Sequence, residues 1–168
     1  SVVAWGNPDS GGDIADSDYG ISTGSVSSGV IDIVSHESQF AFAALKSDGS
    51  VVTWGTDQNG GDSSSVSTDL SSGVIKLFAN ANSFVALKSN GSVVTWGNSY
   101  YGGDSSTLYP NGSSISSGVI DIYDGCADGY AALKSDGSVV TWGHSNGKLD
   151  NTGINFGSGG AVKKIVNN

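Results

Sequence analysis

Arginine and methionine are missing from this 168-residue sequence, which has one cysteine and two prolines. All seven basic residues are lysines, and the formal net charge is −9. Arginine is the side chain best suited to bidentate contacts with phosphate and guanine, and a negative field repels a polyanion. Nucleic acid is therefore not an expected partner.

Long apolar runs are missing too, so the sequence predicts no membrane span, and it carries no basic-then-apolar signal peptide. Cys126 has no second cysteine with which to form an intrachain disulfide, and we interpret it as a small apolar residue. The missing methionine includes an initiator, which points to a processed product or to part of something longer. Helix formers are scarce and no segment holds a 3.6-residue apolar period, so we expect an all-β chain.

One hairpin pattern recurs three times almost unchanged, as two short apolar runs joined by Asp-Gly or Asn-Gly. These pairs are Asp48-Gly49, Asn90-Gly91 and Asp136-Gly137. They predict β-hairpins with type I′ turns, because both residues tolerate positive φ. Each copy ends in Trp-Gly, and a half copy opens the chain at residues 1–6.

Three landmarks repeat in the same order. The tryptophans Trp5, Trp54, Trp96 and Trp142 are spaced by 49, 42 and 46 residues. A Ser-Gly-Val-Ile segment precedes each full hairpin, and a Gly-Gly-Asp turn follows each of the first three tryptophans. Self-similarity at this period, with several strands in each unit, indicates a propeller or a solenoid.

The pattern apolar-Ala-Leu-x-x-Asp-Gly-x-Val-x-x-Trp-Gly resembles the regulator-of-chromosome-condensation repeat family over residues 1 to about 145. The resemblance implies a β-propeller of four-stranded blades, commonly seven to a closed ring. We therefore predict a single repeat domain over residues 1–168, as a partial propeller with about three complete blades and flanking strands. The expected parts are a strand at 1–6, units at about 7–55, 56–97 and 98–143, and a partial unit at 144–168.

An open propeller would expose unpaired strand edges. We expect ring closure from a longer parent chain, from self-association of two such chains, or from neighbours in a larger assembly. Of these, the longer parent or the larger assembly is preferred.

The repeated tryptophans and turn residues are interpreted as structural. Large rings at identical positions pack between blades, and Asp or Asn beside glycine suits tight turns. Aspartates of the Gly-Gly-Asp turns lie in separate blades, where their carboxylates do not converge.

No residues assemble a catalytic or cofactor site, so we predict neither an enzyme nor a cofactor. The acidic cluster Asp13–Asp18 is the best calcium candidate, but it lacks EF-hand spacing and is read as an exposed turn. His36-Glu37 lacks the second histidine of a zinc motif, and His144 is isolated. Asn90 and Asn111 match the glycosylation pattern, and whether either is glycosylated stays open.

Differences between units are the remaining guide to binding, because a shared scaffold carries function in its variable loops. Tyrosine offers a rigid apolar face with a polar tip, so the partner-binding candidates are Tyr100 and Tyr101, with Tyr19 and Tyr109. We predict a non-enzymatic protein-interaction or structural module. The alternatives are a lectin-like propeller that binds glycan once per blade and an accessory subunit of a large complex. The acidic, Ser/Gly-rich composition favours an extracellular or organelle-lumen setting.

Overall fold

The computed structural model describes residues 2–7, 12, 14, 26–36, 40–106, 108–109, 112–125 and 129–143. In these residues the chain forms three antiparallel sheets of three strands, each a simple meander. Blade 1 contains β1 (Val30–Ser35), β2 (Ala41–Lys46) and β3 (Val51–Gly55). Blade 2 contains β4 (Val74–Ala79), β5 (Ser83–Lys88) and β6 (Val93–Gly97). Blade 3 contains β7 (Val119–Gly125), β8 (Gly129–Lys134) and β9 (Val139–Gly143). The all-β, partial-propeller prediction is confirmed.

Short 3₁₀ turns join the blades at Asp57–Asn59, Ser64–Val66, Asp69–Ser71 and Ser99–Tyr101. The family resemblance implies a fourth strand in each blade, whereas each sheet of the described residues has three. Beside β9, Tyr109 and Thr141 exchange backbone hydrogen bonds of 2.8 and 2.9 Å. This single bridge is the pairing that the crossing between blades 2 and 3 makes with the outer edge of blade 3.

The hairpin turn differs from the type I′ turn that the sequence predicts. In the β2–β3 turn, Gly49 donates to the carbonyl of Lys46 and Lys46 donates to the carbonyl of Ser50. Gly49 has φ +80°, so the loop is a three-residue turn closed by a glycine bulge. The physical reason is the Asp48 carboxylate, which accepts from both the backbone and the hydroxyl of Ser50 and so favours the longer loop.

The first strand of each sheet begins with a bulge. Pairing slips by one residue between Val74 and Lys76 against β5, and the strands β1 and β7 slip at the equivalent place. The extra residues are Ile31, Ile75 and Ile120, whose side chains are 65, 58 and 57% exposed. Strands β1, β4 and β7 lie side by side, so the three isoleucines repeat once per blade along the first strands.

The core lies between the sheets. At the first junction, between blades 1 and 2, Ala43 and Leu45 belong to the same buried cluster as Leu77, Phe84 and Trp96. At the second junction, between blades 2 and 3, Val85 and Leu87 pack in the same way against the next blade. Their partners there are Ile122, Tyr130 and Trp142. Apolar burial on both faces of the middle strands therefore stabilises the stack as a whole.

One backbone contact recurs at both junctions. The carbonyl of Gly49 accepts from Val74 at 2.9 Å, and that of Gly91 accepts from Val119 at 3.0 Å. A Cβ on Gly49 would lie 2.8 Å from the nitrogen of Gly73, so only glycine lets the two backbones approach this closely. The hairpin glycine therefore has two roles, since it closes its own turn and it holds the next blade.

Candidate functional site

The tryptophans of blades 1 to 3 are packing residues. Trp54, Trp96 and Trp142 are only 2–3% exposed, and each stacks on the aromatic residue opposite it in the sheet. The indole N–H of Trp96 donates to the carbonyl of Gly60 at 3.1 Å, and that of Trp142 donates to Gly102 at 3.1 Å. The indoles of Trp96 and Trp142 are therefore each fixed by the Gly-Gly-Asp turn that follows the preceding blade.

Trp5 departs from this pattern, because its side chain is 84% exposed. The packing role that the sequence predicts for the repeated tryptophans therefore does not extend to Trp5 in this structure. Its surroundings differ from those of Trp54, which lies in a buried cluster with Val26 and Val52.

The hairpin Asp and Asn side chains close their own turns. Asp48, Asn90 and Asp136 each accept two hydrogen bonds from the serine two residues later. These bonds lower the pKa of Asp48 and of Asp136, because they stabilise the charged carboxylate. The side chains are thus engaged in local structure.

Aspartates of the Gly-Gly-Asp turns act in the same way. Asp62 accepts from the backbone of Ser64 at 2.8 Å, and Asp104 accepts from that of Ser106 at 2.7 Å. Each one caps the start of the crossing to the next blade. Asp13, the third member of the set, lies outside the described residues.

Several other candidates also fall outside the described residues, namely Glu37, Asp16, Asp18, Tyr19, Asn111, Cys126 and His144. Across the part of the chain that is described, no three His, Cys, Asp or Glu side chains are grouped so as to hold a metal ion. No helix in that same part has the length and apolar character needed to cross a bilayer.

Tyr100 and Tyr101, here called the tyrosine pair, lie in the 3₁₀ turn that follows β6. Their rings meet edge to face with centroids 5.3 Å apart, and Tyr100 is 42% exposed. The Asn98 side chain accepts from the backbone of Tyr100 at 2.9 Å and so caps the turn. The turn equivalent to it in blade 1 carries Gln58 and Asn59, so the repeat itself does not require aromatic residues here.

The tyrosine pair is anchored to the sheet through the carbonyl of Tyr101. This oxygen accepts from the side-chain amide of Asn80 at 2.5 Å and from the hydroxyl of Ser83 at 2.7 Å. Both donors are buried. The exposed ring of Tyr100 is therefore carried by a backbone that buried side chains fix through hydrogen bonds.

Tyr109 is placed elsewhere, in the bridge to Thr141 on the edge of blade 3. The structure thus brings two of the four predicted tyrosines together. Of the other two, Tyr109 lies apart from the pair, and Tyr19 lies outside the described residues.

A buried polar network that the sequence analysis missed lies at the second junction. The Tyr130 hydroxyl donates to the carbonyl of Ser83 at 2.7 Å and accepts from the backbone of Asn80 at 3.1 Å. The side-chain oxygen of Asn80 also accepts from the backbone N–H of Ser83 at 3.1 Å, and the hydroxyl oxygen of Ser83 lies 2.9 Å from it. Burial raises the pKa of Tyr130, so the phenol stays protonated and can donate.

The first junction has different residues at the same places. His36 stands where Asn80 stands in blade 2, Ala41 replaces Ser83, and Phe84 replaces Tyr130. His36 is 2% exposed, and its ring lies 4.3 Å from that of Phe84. Neither ring nitrogen has a hydrogen-bond partner among the described residues. Burial lowers the pKa of His36 to about 4, and the nearby backbone of Asn59, which is not in hydrogen-bond geometry with the ring, offsets this lowering only in part.

The family model for the regulator of chromosome condensation (RCC1) repeat matches residues 74–102, which run from β4 to the turn after β6. Blade 2 is therefore similar to an RCC1-type repeat. Blades 1 and 3 repeat the register of the matched blade strand for strand, as the hairpin signature predicts.

Among solved structures, the chain is similar to a protein described as human WBSCR16, with a TM-score of 0.44 and 22% sequence identity. The match covers 68% of this chain and 33% of that one, so this chain spans about a third of the length of WBSCR16. No curated protein matches the sequence.

Proposed function

We propose that this chain is a non-enzymatic interaction module that binds a protein partner through the tyrosine pair. The observation that carries the proposal is the exposed ring of Tyr100 on a turn whose backbone is fixed by Asn80, Ser83 and Asn98. RCC1-type propellers commonly bind proteins. A pre-positioned aromatic residue loses little conformational entropy on binding, which is why tyrosine is enriched at recognition surfaces.

The comparison between blades supports the same proposal. Gln58 and Asn59 occupy the equivalent turn of blade 1, and that turn still closes with a left-handed glycine, as the turn after Tyr101 does. Tyrosine is therefore not needed to build the turn. A residue that the scaffold does not require, placed at an exposed position, is the expected mark of a contact surface.

Carboxylates of the repeat support a non-enzymatic role. Asp48, Asp62, Asp104 and Asp136 each accept hydrogen bonds within their own turn. A general base needs its lone pairs directed at a substrate. In each of these four carboxylates, one oxygen is instead engaged by the backbone of its own turn.

Burial of the three tryptophans favours protein over glycan as the partner. A lectin-like propeller would present one aromatic face per blade to a sugar. Trp54, Trp96 and Trp142 stack inside the sheets, so their faces are occupied by protein.

The proposal is tested with a photo-crosslinking amino acid placed at Tyr100, or at Gln58 as the matched position in blade 1. Each version is irradiated in an extract of the source cells and in their medium. We expect a discrete crosslinked protein from position 100 that is absent from position 58. The variant Tyr100→Gln should then bind that protein about tenfold more weakly, because truncating an aromatic anchor removes on the order of 1.4 kcal/mol or more.

The same crosslinked proteins at both positions, or unchanged affinity in Tyr100→Gln, would contradict the proposal. Gln58→Ala serves as the control for a substitution in a turn of the same shape.

A further inference from the structure

The two ends of the blade stack differ in charge. The hairpin end carries the turns Asp48-Gly49, Asn90-Gly91 and Asp136-Gly137. The opposite end, here called the turn end, carries Asp57–Asn59, residues 80–82, Ser99–Tyr101 and the last residues of β7. The middle strands β2, β5 and β8 connect the two ends over six residues each, which is about 17 Å. This distance exceeds the electrostatic screening length of about 8 Å at physiological salt, so the charges of one end act little on the other.

Lysines of the described residues lie away from the turn end. Three of them end the middle strands at the hairpin end, namely Lys46, Lys88 and Lys134. The ammonium group of Lys134 donates there to the carbonyl of Ser114 at 2.9 Å. Lys76 lies in the half of β4 nearer the hairpin end. Lys148, Lys163 and Lys164 lie outside the described residues. In the part of the chain that is described, no ammonium group therefore lies at the turn end.

One carboxylate of the turn end comes from blade 1. Asp57 is exposed in the turn Asp57–Asn59. Asn82 joins this turn to the turn of the tyrosine pair, because its side-chain oxygen accepts from the Asn59 amide at 2.7 Å. The backbone carbonyl of Asn82 accepts from Asn98 at 3.0 Å. Asp57 and the tyrosine pair are therefore parts of one continuous surface.

Two more carboxylates lie towards blade 3. Asp124 is exposed near the end of β7, opposite Tyr130 in the register with β8. A Cβ on Gly102, which follows the tyrosine pair, would lie 2.9 Å from the Tyr130 ring, so this ring connects the turn to blade 3. Asp104 is exposed two residues further along the chain. Carboxylates from three segments of the chain thus flank the exposed ring of Tyr100.

The chain itself shows how an aromatic ring and a carboxylate hold an ammonium group. The Nζ atom of Lys76 lies 4.6 Å from the centroid of the Phe78 ring and 3.2 Å from the Asp121 carboxylate. A cation over an aromatic face is attracted by the ring, and the carboxylate adds an opposite charge. At the turn end the ring and the carboxylates are present, and the described residues supply no cation to them.

We propose that the turn end binds a basic segment of a partner protein, whose lysine or arginine side chain lies over the ring of Tyr100 among these carboxylates. This inference rests on the proposed function, since it names the partner chemistry that the tyrosine pair recognises. A guanidinium group stacks on an aromatic face, and an ammonium group is held there as a point charge. Opposite charges accelerate the encounter and are screened by salt, so the affinity should fall as the salt concentration rises.

The probe for this test is a short peptide that alternates arginine with serine, titrated into the isotope-labelled full chain and followed by NMR. We expect a saturable shift of the amide signals of residues 98–104. The turn-end variant, Asp57→Asn with Asp124→Asn, should bind about fivefold more weakly, because it lacks two of the carboxylates. Tyr100→Gln should weaken binding as well, because it lacks the aromatic face. The amide spectrum of each variant also shows whether it is folded.

The matched control is the hairpin-end variant, Asp48→Asn with Asp136→Asn, which changes the net charge by the same amount. Asparagine already occupies this position in blade 2, where Asn90 accepts the same two hydrogen bonds from Ser92. We expect this variant to bind the peptide as the parent does. A peptide with glutamate in place of arginine should not bind. Equal weakening in the two double variants would overturn the proposal, because net charge alone would then explain binding.

The protein crosslinked at position 100 separates this inference from the proposed function. A loss of its affinity in Tyr100→Gln, with none in the turn-end variant, would overturn this inference and leave the tyrosine pair as the contact. Unchanged affinity in Tyr100→Gln would overturn both, because the ring would then not be the contact.

Discussion

The two blade junctions have the same frame and different chemistry. Both use an indole donating to a glycine carbonyl, and both use a hairpin glycine carbonyl that accepts from the next blade. At the end of the first strand they diverge. The second junction contains the satisfied network of Asn80, Ser83 and Tyr130, and the first contains His36 against Phe84.

This difference distinguishes the contacts that every blade junction requires from the residues that are particular to one blade. Backbone contacts and the tryptophan stack recur, so they are the conditions for stacking one blade on another. Polar residues at the strand ends vary while the register is kept. At the second junction, the variable residues Asn80 and Ser83 also fix the tyrosine pair, because both donate to the carbonyl of Tyr101.

Substitutions at the glycine contacts that both junctions share should have the largest effect on stability. In Gly60→Ala the new Cβ lies 2.7 Å from the ring of Phe84, and in Gly102→Ala it lies 2.9 Å from that of Tyr130. Both glycines also have positive φ. We expect each substitution to lower the free energy of unfolding by about 3 kcal/mol, measured by urea denaturation.

The matched control for this prediction is Gly112→Ala. Gly112 has φ +83° but nothing within 4 Å of its Cβ position, so it isolates the backbone strain, about 1 kcal/mol. Equal losses in all three variants would mean that close approach between blades contributes nothing.

Lowering the pH should have the next largest effect on stability, and it should act through the first junction. The pKa of His36 is about 4 in the folded chain against 6.5 for the free side chain. Between these values the unfolded chain binds the extra proton, so stability falls as the pH falls from 6.5 towards 4. The full loss, below pH 4, is about 3 kcal/mol. It is measured by urea denaturation from neutral pH to about pH 4.

His36→Asn places at the first junction the residue found at the second. The variant should lose this part of the pH dependence, while carboxylate titration elsewhere affects both proteins alike. Parallel stability profiles for His36→Asn and the parent would show that the buried imidazole is not responsible.

Removing the hydroxyl from the second junction should have a smaller effect. Tyr130→Phe removes the phenol that bonds both the backbone N–H of Asn80 and the carbonyl of Ser83, which then keep only their mutual bond of 3.2 Å in this buried site. We expect a loss of about 2 kcal/mol at neutral pH with no change in the acid profile. It is measured by urea denaturation, and a loss confined to acid would contradict the assignment.

Much of the frame is local and could be predicted from the sequence. Strand positions follow from the hairpin pattern, and burial of Trp54, Trp96 and Trp142 follows from its repetition. The prediction of a type I′ turn was wrong, because Ser50 donates two hydrogen bonds to the Asp48 carboxylate and these favour a longer loop. The 84% exposure of Trp5 is not predictable in this way, because the repeated Trp-Gly pattern does not show whether a neighbouring strand covers the ring.

The candidate site was only partly predictable. Tyr100 and Tyr101 stand out because they are adjacent and vary between units. The network beneath them joins Asn80 to Tyr130, 50 residues apart, and periodicity within one unit cannot reveal it. Aligning the units would have shown one signal, namely the change from Phe84 to Tyr130 at the same position of β5 and β8.

Hydrogen exchange of the indole N–H groups, followed by NMR, tests most directly the claim that the blades stack through glycine carbonyls. Trp96 and Trp142 donate to Gly60 and Gly102, so their indole protons should exchange slowly. Trp5 is 84% exposed and its proton should exchange at the rate of a free indole. Equally fast exchange at Trp96 and Trp142, or slow exchange at Trp5, would contradict the account.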